Sequence, residues 1–336
     1  MKNIGFFLRH FTERGTEISI YDYAEYNEKI LNNKSYIICF TIDKQKEVKL
    51  CMERISYPKF KDRFEILEID DIQELKYIIK YYNLDFFYTQ TYGGSNDIYQ
   101  FDNKKIWGNC KTIKHCVFET CYPESDFYIC ISNHLNERFH TNLPVIPLIV
   151  RPLPETYDNL REELGIPKDA VVLGRYGGEC EFNINYVHEV IQDYLLLYDQ
   201  QKYDIPNIYF LFMNTNIFYE HSHIIYLPKN IDFMYKSKFI NTCDAMIHAR
   251  KMGETFGLAV GEFSIKNKGI ITSKSGDLEH IKILGDKAII YDSKEKLMNI
   301  FTNINKYIEE KKDRNAYQYY SPENIMNLFN ELIFSK

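Results

Sequence analysis

The sequence lacks the short motifs that most directly indicate a bound metal or a nucleotide-binding loop. It has no G-x-G-x-x-G, no Walker loop, no Asp-x-Asp motif and no Cys/His pairs with metal-ligand spacing. None of its eight cysteines forms a C-x-x-C pair. Several cysteines lie inside apolar, strand-like runs, which favours buried, reduced thiols over disulfides or a zinc site.

Long hydrophobic runs and an excess of basic charge are absent as well. The apolar run at the N-terminus covers only Ile4 to Leu8, which is too short for a signal peptide core or a membrane span. The net charge of −6 argues against a general nucleic-acid-binding protein, which carries a basic face. We therefore expect a cytoplasmic protein with no transmembrane segment and no nucleic-acid partner.

The chain alternates apolar, strand-like runs with helical patterns over a length of 336 residues. That alternation predicts an α/β fold with parallel sheets and crossover helices, and the length suits two domains. The prolines after Arg151 mark a boundary. We predict a first domain over 1–150, a linker with a short polar helix over 151–168, a second domain over 169–320, and a C-terminal helix over 321–336.

A strand that runs into a glycine-containing turn occurs at the head of both halves. Asn3–Leu8 leads to Gly15 and Thr16, and the apolar run from Ala170 leads to Gly177 and Gly178. Gly15 beside Thr16 at a helix start predicts a nest that accepts an anion, with Arg14 adding charge. The repetition predicts two Rossmann-like domains that face each other across a cleft.

The most informative stretch runs from His248 to Glu262. An apolar strand pattern precedes it, and Gly253 and Gly257 lack side chains where a ligand could approach the backbone. We predict that a helix opens within this stretch and that Glu254 and Glu262 project from similar faces of its first turns. Such a turn lies at the carboxyl end of a parallel strand, where α/β proteins bind ligands.

The segment Glu254-Thr-Phe-Gly-Leu-Ala-Val-Gly-Glu262 resembles the E-x(7)-E signature, commonly E-G-F-G-L-x-x-x-E, of retaining GT-B glycosyltransferases similar to glycosyltransferase family four. The resemblance implies a GT-B fold whose C-terminal helix crosses back to the first domain. It also implies transfer of a sugar from a UDP- or GDP-linked donor, with retention and without a metal or other cofactor.

The resemblance implies roles for particular residues. Glu254 would hold donor sugar hydroxyls, Glu262 the ribose hydroxyls, and Arg175 the departing diphosphate. The remaining expected site residues are His115 facing the reacting sugar, Arg14, Gly15 and Thr16 near donor phosphate or acceptor, Gly177 beside Arg175, Thr255, Phe256 and Gly257 at the helix start, and Tyr226 and Leu227 near the nucleobase.

The sequence departs from the family pattern after the Gly174-Arg175 pair. The family carries a Lys shortly afterwards, whereas this chain has Glu179-Cys-Glu-Phe-Asn183. The missing charge would have to come from Arg250, Lys251 or the Arg14 loop. Three alternatives stay open: a nucleotide-sugar epimerase of the same fold, a non-catalytic binding or scaffold protein, and an α/β protein of another function. The expected acceptor is a carbohydrate, a lipid or a protein.

Overall fold

The computed structural model describes residues 1–48, 51–94, 101–201, 204–308 and 312–335. Part of the loop from Tyr92 to Trp107, which the sequence suggests as a pocket wall, lies outside the described residues. The chain forms two compact units, one of Met1–Ile149 together with the chain from Tyr320 onward, the other of Val150–Tyr319. No described helix is long and apolar enough to cross a membrane.

The first unit is built on one parallel sheet of six strands in the order β3-β2-β1-β4-β5-β6. Its strands are β1 (Asn3–Leu8), β2 (Lys34–Phe40), β3 (Glu65–Ile69), β4 (Phe86–Thr91), β5 (Lys111–Cys116) and β6 (Phe127–Cys130). Its helices before the chain leaves the unit are α1 (Gly15–Lys29), α2 (Ile42–Glu47), α3 (Tyr57–Arg63), α4 (Leu75–Tyr82), α5 (Lys104–Trp107) and α6 (Asn133–Phe139).

The strands of this sheet are almost continuously apolar because helices cover the sheet. Phe7 and Phe87 are buried against Trp107 and the apolar residues of β2 and α4 in one core cluster. The strand order reverses between β1 and β4, which is the switch point at which open parallel sheets bind ligands beyond their carboxyl ends.

The second unit repeats this plan with the sheet order β14-β12-β10-β7-β8-β9 and a two-stranded pair β11-β13. Its strands are β7 (Val171–Tyr176), β8 (Ile208–Met213), β9 (Ile224–Leu227), β10 (Ala245–Ile247), β11 (Gly253–Glu254), β12 (Gly269–Ser273), β13 (Asp277–Leu278) and β14 (Ala288–Tyr291). Its helices are α7 (Asn185–Asp199), α8 (Phe233–Thr242), α9 (Leu258–Ile265), α10 (Glu279–Leu284), α11 (Lys294–Thr302) and α12 (Ile304–Tyr307).

Both six-stranded sheets have the same topology when their strands are counted within each unit. Each reads 3-2-1-4-5-6 from one edge, the order of a Rossmann sheet, and every pair is parallel. This confirms the predicted α/β class with two Rossmann-like units. The second switch point lies between β7 and β10.

The chain ends with α13 (Pro322–Phe329) and a π-helical turn, Asn330–Phe334. Ser321 caps α13 by accepting a hydrogen bond from the backbone N–H of Asn324, and Pro322 occupies the first turn. Contacts between aromatic rings fix the segment in the first unit. The ring centroids of Phe329 and Tyr23 are 5.5 Å apart, and those of Phe334 and Phe86 are 4.8 Å apart. The predicted return of the C-terminal helix to the first domain is therefore present.

Three local predictions require correction. The sequence pattern predicts a helix over Glu17 to Leu31 with Thr16 as its cap, but helix α1 begins at Gly15, so Thr16 lies inside the helix and Arg14 is the capping position. The predicted linker over 151–168 contains turns in place of a helix and belongs to the second unit. Leu160 anchors it there through a backbone hydrogen bond of 2.8 Å to Thr242 Oγ1.

The third correction concerns the central stretch. Helix α9 starts at Leu258, after Gly257 with φ of 87°, and Glu254 lies in the extended strand β11. The expectation that Glu254 and Glu262 share a helical face is therefore wrong. Glu262 alone stands on the helix, so the two carboxylates have different surroundings.

Candidate active site

Two glycines allow the short β11-β13 ladder to form beyond the carboxyl end of β10. Gly253 and Gly276 have φ of +66° and +65°, in the left-handed region. A Cβ on Gly253 would lie 2.1 Å from the Asp277 carbonyl oxygen, and one on Gly276 would lie 2.0 Å from the Met252 carbonyl carbon. Only glycine permits this approach, and the ladder fixes the backbone that carries Glu254.

The carboxylate of Glu254 has a basic partner on each oxygen. His248 Nε2 lies 3.1 Å from Oε1, and Arg250 donates to Oε2 at 2.8 Å. Burial raises the pKa of Glu254, but the hydrogen bond from His248 and the charge of Arg250 outweigh it and lower the pKa from 4.5 to about 2. Glu254 is therefore a carboxylate at physiological pH, and His248 Nε2 must be the donor.

A buried hydrogen-bond chain fixes the His248 ring from its other side. Thr272 Oγ1, on β12, lies 2.9 Å from His248 Nδ1 and 2.9 Å from Nε2 of His280. Burial lowers the pKa of His280 to about 3, so that ring is neutral. Because the Thr272 hydroxyl has one proton, it donates to one ring and accepts from the other. These hydrogen bonds fix the orientation of the His248 ring toward Glu254.

Arg250 links Glu254 to the glycine turn after β7. Its Nη2 lies 2.8 Å from Glu181 Oε1, while Nη1 contacts Glu254. Glu181 Oε2 accepts a hydrogen bond of 3.3 Å from the Gly178 backbone N–H. The carboxyl ends of β7 and β10 thus contribute to one polar cluster, which consists of Arg250, Glu181, Glu254, His248 and the adjoining Arg175.

Arg175 holds this turn through hydrogen bonds. It is 4% exposed, and it donates to the Asn214 and Gly178 carbonyl oxygens and to Thr215 Oγ1 at 3.0, 2.7 and 2.5 Å. Burial lowers its pKa to about 10, while the charges of Glu181 and Glu254 favour the charged form. The structure therefore brings Arg175 into the neighbourhood of Glu254, with its donors engaged by the protein itself.

Glu262 is enclosed by two residues that the sequence did not suggest. Lys236 on α8 donates to both carboxylate oxygens at 2.9 and 3.2 Å, and the Tyr176 hydroxyl donates to Oε2 at 2.5 Å. The side chains of Glu262 and Lys236 are 6% and 5% exposed. This ion pair satisfies the carboxylate expected to bind ribose hydroxyls.

The other expected donor residues of the second unit lie in several environments. Gly177 belongs to the turn, and its carbonyl oxygen accepts from the Asn214 side chain at 2.8 Å. Thr255 and Phe256 are buried, and a Cβ on Gly257 would lie 3.4 Å from Glu254 Cβ. Tyr226 and Leu227 end the edge strand β9, where the partly buried Tyr226 ring packs against the core and its hydroxyl donates to the Tyr219 carbonyl oxygen.

His115 in the first unit has a structural environment. It is fully buried, its Nδ1 lies 2.8 Å from the Tyr88 hydroxyl, and its Nε2 lies 2.8 Å from the Ile146 carbonyl oxygen. Burial lowers its pKa to about 3. Because protein groups occupy both ring nitrogens, we replace the expectation of a sugar-facing role with a core role.

The predicted anion nest at Arg14, Gly15 and Thr16 carries a carboxyl group of its own. Glu17 in the first turn of α1 is 5% exposed, and burial raises its pKa to about 7, against the lowering effect of the Arg14 charge and the Thr12 hydroxyl. A carboxyl at the helix start opposes a phosphate there by occupying the positive end of the helix dipole. We leave this loop out of the candidate site.

The assembled site is an ionised carboxylate held by His248 and Arg250, next to a glycine turn. Such a carboxylate accepts hydrogen bonds from hydroxyl groups, and the guanidinium suits phosphate oxygens. In the described part of the chain, no group of three or more His, Cys, Asp or Glu side chains is arranged to hold a metal ion.

Sequence reasoning missed several members of this cluster. The sequence names Arg250 as a source of the missing charge, whereas His248, which stands directly after β10, could have been identified by the rule that parallel strand ends carry ligands. Thr272, His280, Glu181 and Lys236 gave no comparable signal, because the chain brings them in from other strands and helices.

No protein-family model matches the chain, and a comparison with curated proteins found no match. Solved structures do match over its whole length. A glycosyltransferase from Rickettsia africae ESF-5 has 15% identity and a TM-score of 0.69, with 100% of this chain and 99% of that chain covered. Anabaena HepE in complex with UDP and glucose has 13% identity and a TM-score of 0.72, with 100% of each chain covered.

A third structure is WaaG, a glycosyltransferase of lipopolysaccharide biosynthesis. It has 10% identity and a TM-score of 0.56, with 98% of each chain covered. At these identities the likeness establishes the fold, including the predicted assignment to the GT-B class. The chain therefore has the GT-B fold of these glycosyltransferases.

Proposed function

We propose that this protein is a glycosyltransferase whose second unit binds a nucleotide-diphosphate sugar, and that UDP-glucose is the first donor to test. The observation that carries the proposal is the ionised Glu254, fixed between His248 and Arg250 beyond the carboxyl ends of β7 and β10. The fold adds support, because HepE of the same fold was crystallised with UDP-glucose.

Glu254 acts in this proposal as a hydrogen-bond acceptor for donor sugar hydroxyls. A group whose pKa is about 2 holds no proton to donate at neutral pH, so a general-acid role is excluded. Breaking the bond from the sugar to the diphosphate builds negative charge on the leaving group, which fixed cations stabilise. Arg250 is the cation in direct contact with Glu254, and the neighbouring Arg175 adds a second positive charge. We extend the proposal to retention of configuration and metal-independent transfer.

The experiment is calorimetric titration with UDP, GDP and UDP-glucose, followed by a coupled assay of UDP release from UDP-glucose. We expect wild type to bind UDP-glucose more tightly than UDP. Glu254→Gln should abolish that difference and lower UDP release by about a hundredfold, because a neutral amide accepts more weakly from hydroxyl groups. Glu162→Gln, at an exposed position of the same unit, is the matched control.

Absence of nucleotide binding by the folded wild-type protein would overturn the proposal. Configuration is read separately from the anomeric proton signals of the glycoside formed. Metal independence is read from UDP release in the presence of a chelator, where we expect no loss.

A non-catalytic sugar-nucleotide-binding protein is the second candidate. The observation in its favour is that Lys236 and Tyr176 enclose Glu262, while carbonyl and hydroxyl oxygens engage Arg175. It predicts that the protein binds UDP-glucose but releases no UDP when a panel of carbohydrate, lipid and protein acceptors is added. Release of UDP above the control rate would exclude it.

A further inference from the structure

Glu181 follows the glycine turn at the point where its carboxylate meets two donors of the candidate site. Oε1 pairs with Arg250 Nη2 at 2.8 Å, and Oε2 accepts from the Gly178 N–H at 3.3 Å. A Cβ on Gly178 would lie 2.7 Å from the Glu181 carboxyl carbon. The glycine is therefore what lets this carboxylate lie against the turn.

These two donors are the kind that binds phosphate oxygens. A guanidinium offers a planar pair of N–H groups, and a glycine turn presents backbone N–H groups to an anion. Arg175 is a poorer candidate, since it is 4% exposed and three of its contacts are to protein oxygens. Arg250 thus has the more accessible guanidinium, and one of its two partners is a movable side chain.

The exposure of the two partners of Arg250 differs. The Glu181 side chain is 41% exposed, whereas Glu254 is 19% exposed and also bound by His248. An ion pair with one partner open to solvent is weakly held, because water screens the attraction and ordering the exposed side chain costs entropy. Glu181 can leave Arg250 while Glu254 stays in place.

We infer that Glu181 is a tethered anion that occupies Arg250 and the Gly178 N–H in the ligand-free protein, and that the donor diphosphate displaces it. The inference rests on the proposed function and identifies the phosphate-binding groups of that same site. Arg250 then supplies the charge that the sequence lacks at the position of the family's Lys. Glu181 sets the affinity for the diphosphate by competing with it.

The test is calorimetric titration of wild type, Glu181→Ala and Glu181→Gln with UDP and with uridine, which has no phosphate. We expect Glu181→Ala to bind UDP about tenfold more tightly, because a competing and repelling carboxylate is gone. Uridine affinity should stay the same. The gain should shrink between about 0.05 and 0.5 M salt, as screening weakens the repulsion.

Glu179→Ala is the matched control, since it removes the same charge from an exposed position of the same turn. It should change UDP affinity by less than about twofold, because solvent and salt screen an exposed charge. Melting without ligand verifies that each variant is folded. If Glu181→Ala does not fold, Glu181→Gln tests the same inference. We expect Glu181→Gln to tighten UDP binding as well.

The outcomes separate the two proposals. Equal or weaker UDP binding by folded Glu181 variants, with wild type binding UDP, would overturn the inference and leave the proposed function standing. A gain of equal size in Glu179→Ala would overturn it too, since general charge would then explain the effect. No nucleotide binding by any of the folded proteins would overturn the proposed function and the inference together.

Discussion

Two glutamates beyond the carboxyl ends of the two sheets, Glu17 buried and Glu254 partly buried, have pKa values that shift in opposite directions. Glu17 follows β1 in the first unit, where burial raises its pKa to about 7. Glu254 follows β10 in the second unit, where burial acts in the same direction but His248 and Arg250 bring the pKa to about 2. Removal from water therefore does not by itself decide whether a carboxyl is charged.

The difference identifies which strand ends carry charge that a ligand can use. In the first unit, Tyr88, Gln90 and His115 form hydrogen bonds with neutral, fully buried partners. Gln90, for example, donates a hydrogen bond of 2.7 Å to Ser19. The second unit arranges charged residues with exposed members around Glu254. The same sheet topology thus supports a structural network in one unit and a candidate binding site in the other.

A third carboxylate, Glu262, extends the comparison to a charge balanced in the core. We expect Lys236→Met to lower the free energy of unfolding by about 3–5 kcal/mol, because it leaves Glu262 buried without a counter-charge. Urea unfolding monitored by circular dichroism measures the change. Lys238→Met, on the same helix but in a surface pair with Asp158, should cost less than about 1 kcal/mol.

The double variant Lys236→Met/Glu262→Leu should recover most of that loss, since no unpaired charge remains. A loss of less than about 1 kcal/mol in Lys236→Met would show that Glu262 reaches water or a ligand, as the sequence resemblance implies.

Glu17→Gln tests the opposite shift. The raised folded-state pKa means that stability is fully present below the unfolded value of 4.5 and is lost as pH rises through about 7. Glu17→Gln should therefore stabilise the protein by up to about 3 kcal/mol above pH 7 and leave it unchanged near pH 4. Thermal melting across this range measures the effect.

Glu47→Gln, at a residue whose side chain is 68% exposed, serves as the control and should show no such pH dependence. A Glu17→Gln variant that is destabilised above pH 7 would mean that Glu17 is ionised and paired, and would remove the contrast with Glu254.

His115→Leu separates the structural histidine from the site histidine. It should destabilise the first unit by about 2 kcal/mol, because the Ile146 carbonyl oxygen loses its partner in the core. UDP-glucose affinity should not change. His248→Leu, in contrast, should weaken UDP-glucose binding. Calorimetric titration compares the affinities of the two variants. Weaker donor binding in folded His115→Leu would restore the sugar-facing role that the resemblance implied.

Thr272→Val tests the positioning of Glu254 and has the smallest expected effect. The variant keeps the shape of the side chain but removes the hydroxyl between His248 and His280. We expect about a fivefold loss of UDP-glucose affinity with UDP affinity retained, since the sugar contact depends on the orientation of Glu254. Thr302→Val on α11 is the control. Equal losses for UDP and UDP-glucose would contradict a positioning role.

Much of the fold could be predicted from local pattern. The bounds of β1 agree with the predicted strand Asn3–Leu8, and β7 begins within the apolar run from Ala170. The helix bounds shifted where capping decided them, as in α1 and α9, because Gly15 and Gly257 start these helices without a side-chain cap. The weakest prediction placed Glu254 on a helix.

The sequence by itself determined the alternation of buried strands and helices, and hence two parallel sheets. It also determined the glycines that allow close backbone approach at Gly253 and Gly276. The tertiary structure decided which charged groups meet. Glu254 obtains its partners within 6 residues, whereas Glu262 pairs with Lys236 across 26 residues. Electrostatics depends on distance in space and on burial, and neither quantity is written in the order of residues along the chain.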